Sequence, residues 1–271
     1  MHHSRATVIL TRPQGKNQAL QLRFEQAGLR VATLPALTLQ PIAATDPVPD
    51  PATFDLIFFV SGFAVDRFFD LLAEQGMRWP QGLRAGCVGP GTVLALQRQG
   101  VAQQQILCPA GDQPYDSSGF LARLKASAVF ACLSSVLIVC GTTGNPWLAR
   151  QLQELSLQVK RLPLYRRDAR QWDRQQQRQM SSLLADPAEK KYVVLTSPQG
   201  IEAFVDNLAT AQIDPDPLAE STTFVVTHEG QVDSLKHAWQ QKLPAGNAGT
   251  LRIVQALPQE DAIFHIVTIS D

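Results

Sequence analysis

Residues 7–35, TVILTRPQGKNQALQLRFEQAGLRVATLP, decide the fold because residues 135–163, SVLIVCGTTGNPWLARQLQELSLQVKRLP, repeat them without a gap at an offset of 128. Val8 and Val136 are identical, and both copies end in Leu-Pro. Each copy has an apolar run, a polar turn, an amphipathic stretch and a second apolar run, which predicts a strand, a helix and another strand. Such a repeat indicates two related α/β units.

The helix in each copy is predicted from the spacing of its apolar residues. Leu20, Phe24 and Ala27 follow the i, i+4, i+7 pattern of one helix face. The second copy places Leu148, Leu152 and Leu155 at the same spacing. Gly28 is a predicted stop for the first helix, and Ser156 replaces it in the second copy.

Two further pairs complete the repeat. FDLIFFVSGFAVDRFFDLL (54–72) matches KYVVLTSPQGIEAFVDNL (191–208), with Ser61 and Ser197 at equivalent places. A weaker pair joins AGCVGPGTVLALQRQG (85–100) to TFVVTHEGQVDSLKHA (223–238), which sets the turn THEG against GPGT. The strands are apolar on both faces. We therefore expect parallel sheets flanked by helices in two similar domains.

Composition excludes several classes of protein. A hydrophobic content of 45% with 18% charged residues indicates a folded chain, and a formal net charge of zero gives no electrostatic footprint for nucleic acid. The four cysteines lack a C-x-x-C pair and are expected to be free thiols. No apolar run approaches the ~20 residues of a membrane span. Because no long apolar region precedes Arg12, we expect no signal peptide and a cytoplasmic protein.

Two segments separate the repeated units. Residues 36–54, rich in Pro and Asp after one alternating strand, are predicted to be a linker. Residues 164–180 turn into a polar, Gln-rich stretch that favours a solvated helix. The Leu-Pro strands at the two equivalent places are predicted to be crossings between domains.

The candidate site lies where the parallel strands end and their loops enter helices, because ligands bind there in open α/β sheets. These loops are rich in Gly, Ser, Thr and Pro, and free N–H groups at helix N-termini suit anions. Simple helix capping is the alternative role for Ser61 and Ser197. The chain has no Rossmann fingerprint, P-loop, G-x-S-x-G or H-E-x-x-H motif. His228 alone stands at a predicted strand end, which gives no support for a nucleophile and base pair.

The chain resembles the uroporphyrinogen-III synthase family over essentially its whole length. The resemblance is carried by the order and spacing of several motifs, not by any one of them. They are ILTRP, FVSGFAV, VGPGT, LPLYRR and LTSPQGI, with Trp79-Pro80 similar to the proteobacterial branch. The resemblance implies conversion of the linear tetrapyrrole hydroxymethylbilane to uroporphyrinogen III, with loss of water, inversion of the last pyrrole ring and ring closure. It implies no cofactor and no metal.

The resemblance also implies an organisation and a site. Two α/β domains, 1–37 with 167–271 and 41–162, are expected to be joined by a two-stranded ladder at 36–42 and 163–167, with a cleft between them. Tyr165 matches the family's tyrosine, and its phenol can donate a hydrogen bond to the departing hydroxyl. A carboxylate-rich substrate and a monomer are expected. The predicted substrate-binding residues are Thr11, Arg12, Ser61, Gly62, Thr92, Gly141, Thr142, Gly144, Thr196, Ser197, Gln199 and Thr227.

The sequence departs from the family at two loops, and two other functions stay open. Cys140 and Asn145 stand where the Gly-rich loop usually has Arg, and THEG replaces the second Gly-Pro-x-Thr turn. A two-domain binding protein without turnover is one alternative. A regulatory or interaction protein is the other, although neutral charge and the missing helix-turn-helix give it no support.

Overall fold

The computed structural model describes residues 6–14, 16–42, 47–110, 113–186, 188–243 and 251–269. The chain divides into two compact units, one formed by Met1–Thr38 with Asp168–Asp271 and the other by Leu39–Arg167, here called unit 1 and unit 2. Residues 43–46 of the predicted linker lie outside the described part. None of the described helices is long and apolar enough to cross a bilayer.

Unit 1 contains a five-stranded parallel sheet in the order β11-β10-β9-β1-β2. Its strands are β1 (Thr7–Leu10), β2 (Arg30–Thr33), β9 (Lys191–Leu195), β10 (Thr222–Val226) and β11 (Arg252–Gln255). Its helices are α1 (Gln18–Gln26), α6 (Arg174–Leu184), α7 (Pro198–Thr210), α8 (Pro215–Ser221), α9 (Gly230–Lys242) and α10 (Glu260–Ile269).

Unit 2 is built around the second sheet, in the order β3-β8-β7-β4-β5-β6. Its strands are β3 (Leu37–Pro41), β4 (Leu56–Phe59), β5 (Arg84–Cys87), β6 (Ile106–Leu107), β7 (Ser135–Gly141) and β8 (Gln158–Ala169). Its helices are α2 (Gly62–Glu74), α3 (Pro90–Arg98), α4 (Ser117–Lys125) and α5 (Trp147–Glu154), with 3₁₀ turns at Pro51–Thr53, Gln103–Gln105 and Ala128–Cys132. The chain passes from one unit to the other in β3 and in β8.

The duplication predicted from the sequence is visible in the strand register. Val8 pairs with Val31, and Val136 pairs with Val159, so the two copies keep the same alignment of their first two strands. The order β2-β1-β9-β10-β11 in unit 1 corresponds to β8-β7-β4-β5-β6 in unit 2. Each unit therefore combines the first strand-helix-strand segment of one copy with the later strands of the other.

The third repeated pair is shifted by one residue from the alignment made on the sequence. Phe59 pairs with Cys87 and Leu195 pairs with Val226, so the offset from Cys87 is 226 − 87 = 139, not 138. The sequence alignment was wrong here because the two segments share little identity. The shift places Gln231, not Gly230, at the position equivalent to Thr92.

Both faces of each sheet are covered, as the apolar strands predict. In β1, Ile9 packs on one side of the first sheet while Val8 and Leu10 pack on the other. In β4, Ile57 and Phe59 face one side of the second sheet, and Leu56 and Phe58 face the opposite side. The predicted α/β architecture of helix-flanked parallel sheets is confirmed.

One local prediction needs correction, and a second is confirmed with a later start. Leu20 and Phe24 are buried, but Ala27 is exposed because α1 ends at Gln26 and Ala27 belongs to its C-terminal cap. The Gln-rich segment does form a helix, α6, but β8 first continues to Ala169. Asp173 caps that helix through a reciprocal pair of hydrogen bonds with Gln176.

Candidate functional site

Several predicted site residues of unit 2 lie at one edge of its sheet. Ser61 follows β4, Thr92 lies in the first turn of α3 after β5, and Gly141 ends β7. Because β7, β4 and β5 are parallel neighbours, these residues come together at their shared carboxyl edge. This edge, together with Tyr165 on β8, is the candidate site of unit 2.

A β-bulge positions Tyr165 at this edge. Cys140 pairs with Pro163 and Gly141 pairs with Tyr165, so Leu164 is the extra residue on β8. Consecutive side chains of a regular strand point to opposite faces, but here both Leu164 and Tyr165 enter the same apolar cluster. The bulge therefore places the Tyr165 ring on the same face of the sheet as Leu164, whereas a regular strand would place it on the opposite face.

The Tyr165 phenol is buried and paired with a second predicted site residue. Its side chain is 1% exposed, and its Oη lies 3.1 Å from Ser61 Oγ. The ring packs edge-on against Phe63 at 5.1 Å between centroids. A Cβ at Gly141 would lie 3.1 Å from Cε2 of the same ring, so this glycine leaves room for the tyrosine.

The twin serines have the same geometry in the two units. Ser61 Oγ accepts a hydrogen bond from Ala64 N at 3.3 Å and caps α2. Ser197 Oγ accepts one from Gly200 N at 3.1 Å and caps α7. Both serines therefore perform the capping role, and Ser61 adds the contact with Tyr165.

Close packing of two helix N-termini accounts for the glycine after Ser61. A Cβ at Gly62 would lie 3.3 Å from Ala95 Cβ and 3.5 Å from Gly91 O. A larger residue would push α2 away from α3. Gly62 thus keeps two sets of helix N-terminal N–H groups near each other at the edge of unit 2.

The loop after β7 is open to solvent. Thr142 and Gly144 are exposed, and Gly144 has a φ of +154° that favours glycine. Thr142 N donates to Tyr165 O at 2.8 Å, which anchors the start of the loop. Asn145 Oδ1 accepts from Trp147 N at 2.9 Å at the beginning of α5. Burial raises the pKa of the neighbouring Cys140 thiol, so this position presents a neutral group.

In unit 1, the predicted residues follow the adjacent strands β1, β9 and β10. Thr11 comes after β1, Thr196 and Ser197 come after β9, and Thr227 comes after β10. Gln199 lies in the first turn of α7. Thr11 Oγ1 donates to Val194 O at 2.7 Å and is buried, so its hydroxyl fastens β1 to β9.

Arg12 is engaged within its own unit. Its Nη1 lies 2.8 Å from Glu260 Oε1 at the beginning of α10, and its side chain is 16% exposed. The guanidinium is thus neutralised by a carboxylate that is 248 residues away in the chain. An anion at this place would have to share or displace Glu260.

Gln231 is a candidate site residue that the sequence alone did not reveal. It occupies the place equivalent to Thr92, is 5% exposed, and accepts a hydrogen bond from Thr227 N at 2.8 Å through Oε1. It fixes the turn between β10 and α9. The misaligned third pair concealed it, and an alignment anchored on the strand ends would have found it.

No group of three or more His, Cys, Asp or Glu side chains that could hold a metal occurs among the described residues. Apart from the Arg12 guanidinium, which is paired with Glu260, the donors described at both edges are hydroxyls, amides and backbone N–H groups. Such donors suit anionic or hydroxyl-bearing ligands.

A family model described as uroporphyrinogen-III synthase HemD matches residues 18–250. The chain belongs to the uroporphyrinogen-III synthase family. A protein of Chlorobaculum parvum named uroporphyrinogen-III synthase is 32% identical over 99 residues, which cover 35% of this chain and 40% of that relative. The matched part thus spans less than half the length of this curated relative.

Two solved structures share the fold. Uroporphyrinogen-III synthetase from Helicobacter pylori has a TM-score of 0.56 at 16% identity, with 98% of this chain and 100% of that chain covered. A mutant uroporphyrinogen III synthase from Thermus thermophilus has a TM-score of 0.53 at 13% identity, with 98% of both chains covered. The family predicted from the order of motifs is confirmed.

Proposed function

We propose that this protein is a hydro-lyase that converts hydroxymethylbilane to uroporphyrinogen III without a cofactor. The observation that carries the proposal is the Tyr165–Ser61 hydroxyl pair at the carboxyl edge of unit 2, in a chain of this family. The proposed substrate is a linear tetrapyrrole with many carboxylates. The proposed working state is a cytoplasmic monomer whose two domains are the two units.

The first chemical task is loss of the terminal hydroxyl. Hydroxide is a poor leaving group, so its departure from the pyrrole carbon is helped by a proton or hydrogen bond at its oxygen. The electron-rich pyrrole supplies the electrons that break the C–O bond, and the released oxygen leaves as water. An acid placed at that oxygen is typically worth about 10²–10⁴-fold in rate.

The burial of Tyr165 determines how it would deliver that proton. With its ring 1% exposed, the phenol reaches outward through Ser61 Oγ, which lies 3.1 Å away. A phenol O–H group can donate a hydrogen bond. We assign Ser61 to pass the hydrogen bond from Tyr165 to the substrate oxygen while it caps α2.

The second task is to hold a polyanion without a cluster of cations. The helices α2, α3, α7 and α9 begin at the carboxyl edges of their sheets, so their N-terminal ends lie at those edges. Their partial positive charge attracts carboxylates. Exposed Thr142 and Gly144 add a further loop to this set in unit 2. Thr92, Thr196, Ser197, Gln199 and Thr227 are proposed to contact the carboxylates.

The test is to supply hydroxymethylbilane and measure the ratio of uroporphyrinogen III to isomer I, which forms spontaneously from the same substrate. An active enzyme raises isomer III at the expense of isomer I. A binding protein without turnover leaves the isomer ratio at its spontaneous value, and that result would reject the proposed function. Heat-denatured protein at the same concentration is the control for non-specific effects.

A further inference from the structure

Two of the four cysteines lie side by side at the edge of the second sheet. β5 and β6 are parallel, with Ala85 opposite Ile106. Two residues further along each strand, Cys87 ends β5 and Cys108 directly follows β6, so the same register sets them opposite each other. All four side chains pack in the same apolar cluster, which places both thiols on one face of the sheet.

The separation of the strands suits a disulfide. Neighbouring strands lie about 4.8 Å apart, and disulfides join Cα atoms that are about 4.4–6.8 Å apart. Because β6 has only two residues, Cys108 stands just outside the ladder and can adjust its backbone. Cys87, by contrast, is held in the strand with its Sγ 4.0 Å from Gly89 O.

The two thiols differ in access and in acidity. Cys108 is partly exposed, whereas Cys87 is buried. The hydrogen bond with Cys87 lowers the pKa of Cys108, and the same hydrogen bond together with burial raises the pKa of Cys87. A thiolate is the nucleophile in thiol–disulfide exchange. This asymmetry provides one attacking sulfur and one resolving sulfur.

We propose that Cys87 and Cys108 are a redox modification site. The two thiols form a reversible disulfide with each other, and a low-molecular-weight disulfide such as oxidised glutathione is the oxidant. The Cys108 thiolate attacks one glutathione sulfur, which breaks the glutathione S–S bond and releases one glutathione thiolate. Cys87 then loses its proton and attacks Cys108 Sγ, which expels the second glutathione. Two protein thiols are oxidised, one glutathione disulfide is reduced, and the two protons end on the released glutathiones.

The experiment uses the full-length protein incubated with oxidised glutathione, then quenched with an alkylating reagent and mapped by peptide mass spectrometry. The expected result is the loss of two of the four thiols, with the peptides of Cys87 and Cys108 joined. Dithiothreitol should restore both thiols. Cys132→Ser, which removes an exposed thiol outside the pair, is the matched control and should form the same bridge.

Two variants test the order of attack. Cys108→Ser should leave Cys87 reduced, because the buried thiol has no exposed partner to relay the exchange. Cys87→Ala should accumulate a stable glutathione adduct on Cys108, because the resolving sulfur is gone. Circular dichroism checks that each variant is folded. A wild-type protein that keeps glutathione on Cys108 without bridging, or that loses thiol only at Cys132, would overturn the proposal.

Discussion

Replacing Tyr165 with Phe removes one oxygen atom and keeps the packing of the ring. The ring contacts with Gly141 and Phe63 do not involve the hydroxyl, so the phenylalanine fits the same space. The lost interaction is the hydrogen bond between Tyr165 Oη and Ser61 Oγ at 3.1 Å. Ser61 keeps its hydrogen bond from Ala64 N, so the cap of α2 remains. The change therefore isolates the phenol.

The expected effects on stability and on turnover differ in size. Loss of one side-chain hydrogen bond lowers the free energy of unfolding by about 0.5–1.5 kcal/mol. Loss of general-acid help lowers turnover by about 10²–10⁴-fold, which corresponds to about 2.7–5.4 kcal/mol of barrier at 1.36 kcal/mol per tenfold. The kinetic effect should exceed the stability effect, and substrate affinity should change little.

The assay measures initial formation of uroporphyrinogen III from hydroxymethylbilane, alongside chemical denaturation of each variant. Tyr115→Phe, the same chemical change in the segment before α4, is the control and should keep wild-type turnover. Combining Tyr165→Phe with Ser61→Ala tests the relay, because residues that act in series give non-additive losses. Wild-type turnover in Tyr165→Phe would refute the acid role and leave Tyr165 a packing residue.

Four further predictions follow from local geometry. Ser156 has a φ of +63° at the place equivalent to Gly28, so Ser156→Gly should raise the free energy of unfolding by about 0.5–1 kcal/mol. Gly28→Ala should lower it by a similar amount, and equal denaturation curves would contradict both. The backbone hydrogen bond from Ser134 lowers the pKa of Asp55, so this carboxylate stabilises the fold above its unfolded-state pKa and loses that contribution as pH falls through the folded value. Below about pH 4 the wild type should therefore lose stability more steeply than Asp55→Asn, as measured by denaturation at several pH values. Gly141→Ala places a Cβ 3.1 Å from the phenol ring and should lower both turnover and, by about 1–3 kcal/mol, stability; unchanged values in the kinetic and denaturation assays would show that the ring moves aside freely.

The fold could be predicted because its signals are local and repeated. The apolar strands, the helical spacing and the repeat at an offset of 128 residues each indicate the same α/β unit. The register of the first two strands in each copy agrees with the sequence alignment. The prediction failed where identity was low. The weak third pair was aligned one residue out of register. As a result, Gly230 instead of Gln231 was placed opposite Thr92.

The details of the candidate site depend on contacts that are distant in sequence. Glu260 meets Arg12 across 248 residues, and no local pattern reveals that the guanidinium already has a partner. The bulge that turns Tyr165 into the apolar cluster exists only once β7 and β8 are paired. Sequence motifs could nominate Ser61 and Tyr165 separately, but their 3.1 Å contact required the folded sheet.

The exchange of segments between the repeated copies has a consequence for synthesis on the ribosome. Thr7 in β1 pairs on one side with Arg30 in β2, but its partner on the other side, Lys191 in β9, comes only 191 − 7 = 184 residues later. At a translation rate of about 5–20 residues per second, β9 is synthesised roughly 10–40 s after β1. During that interval all the paired strands of unit 2 emerge, among them β7, which is the repeat counterpart of β1 and pairs with β4. In the nascent chain, β1 can therefore compete with β7 for the place beside β4. The sequence differences between β1 and β7 must direct each strand to its correct sheet.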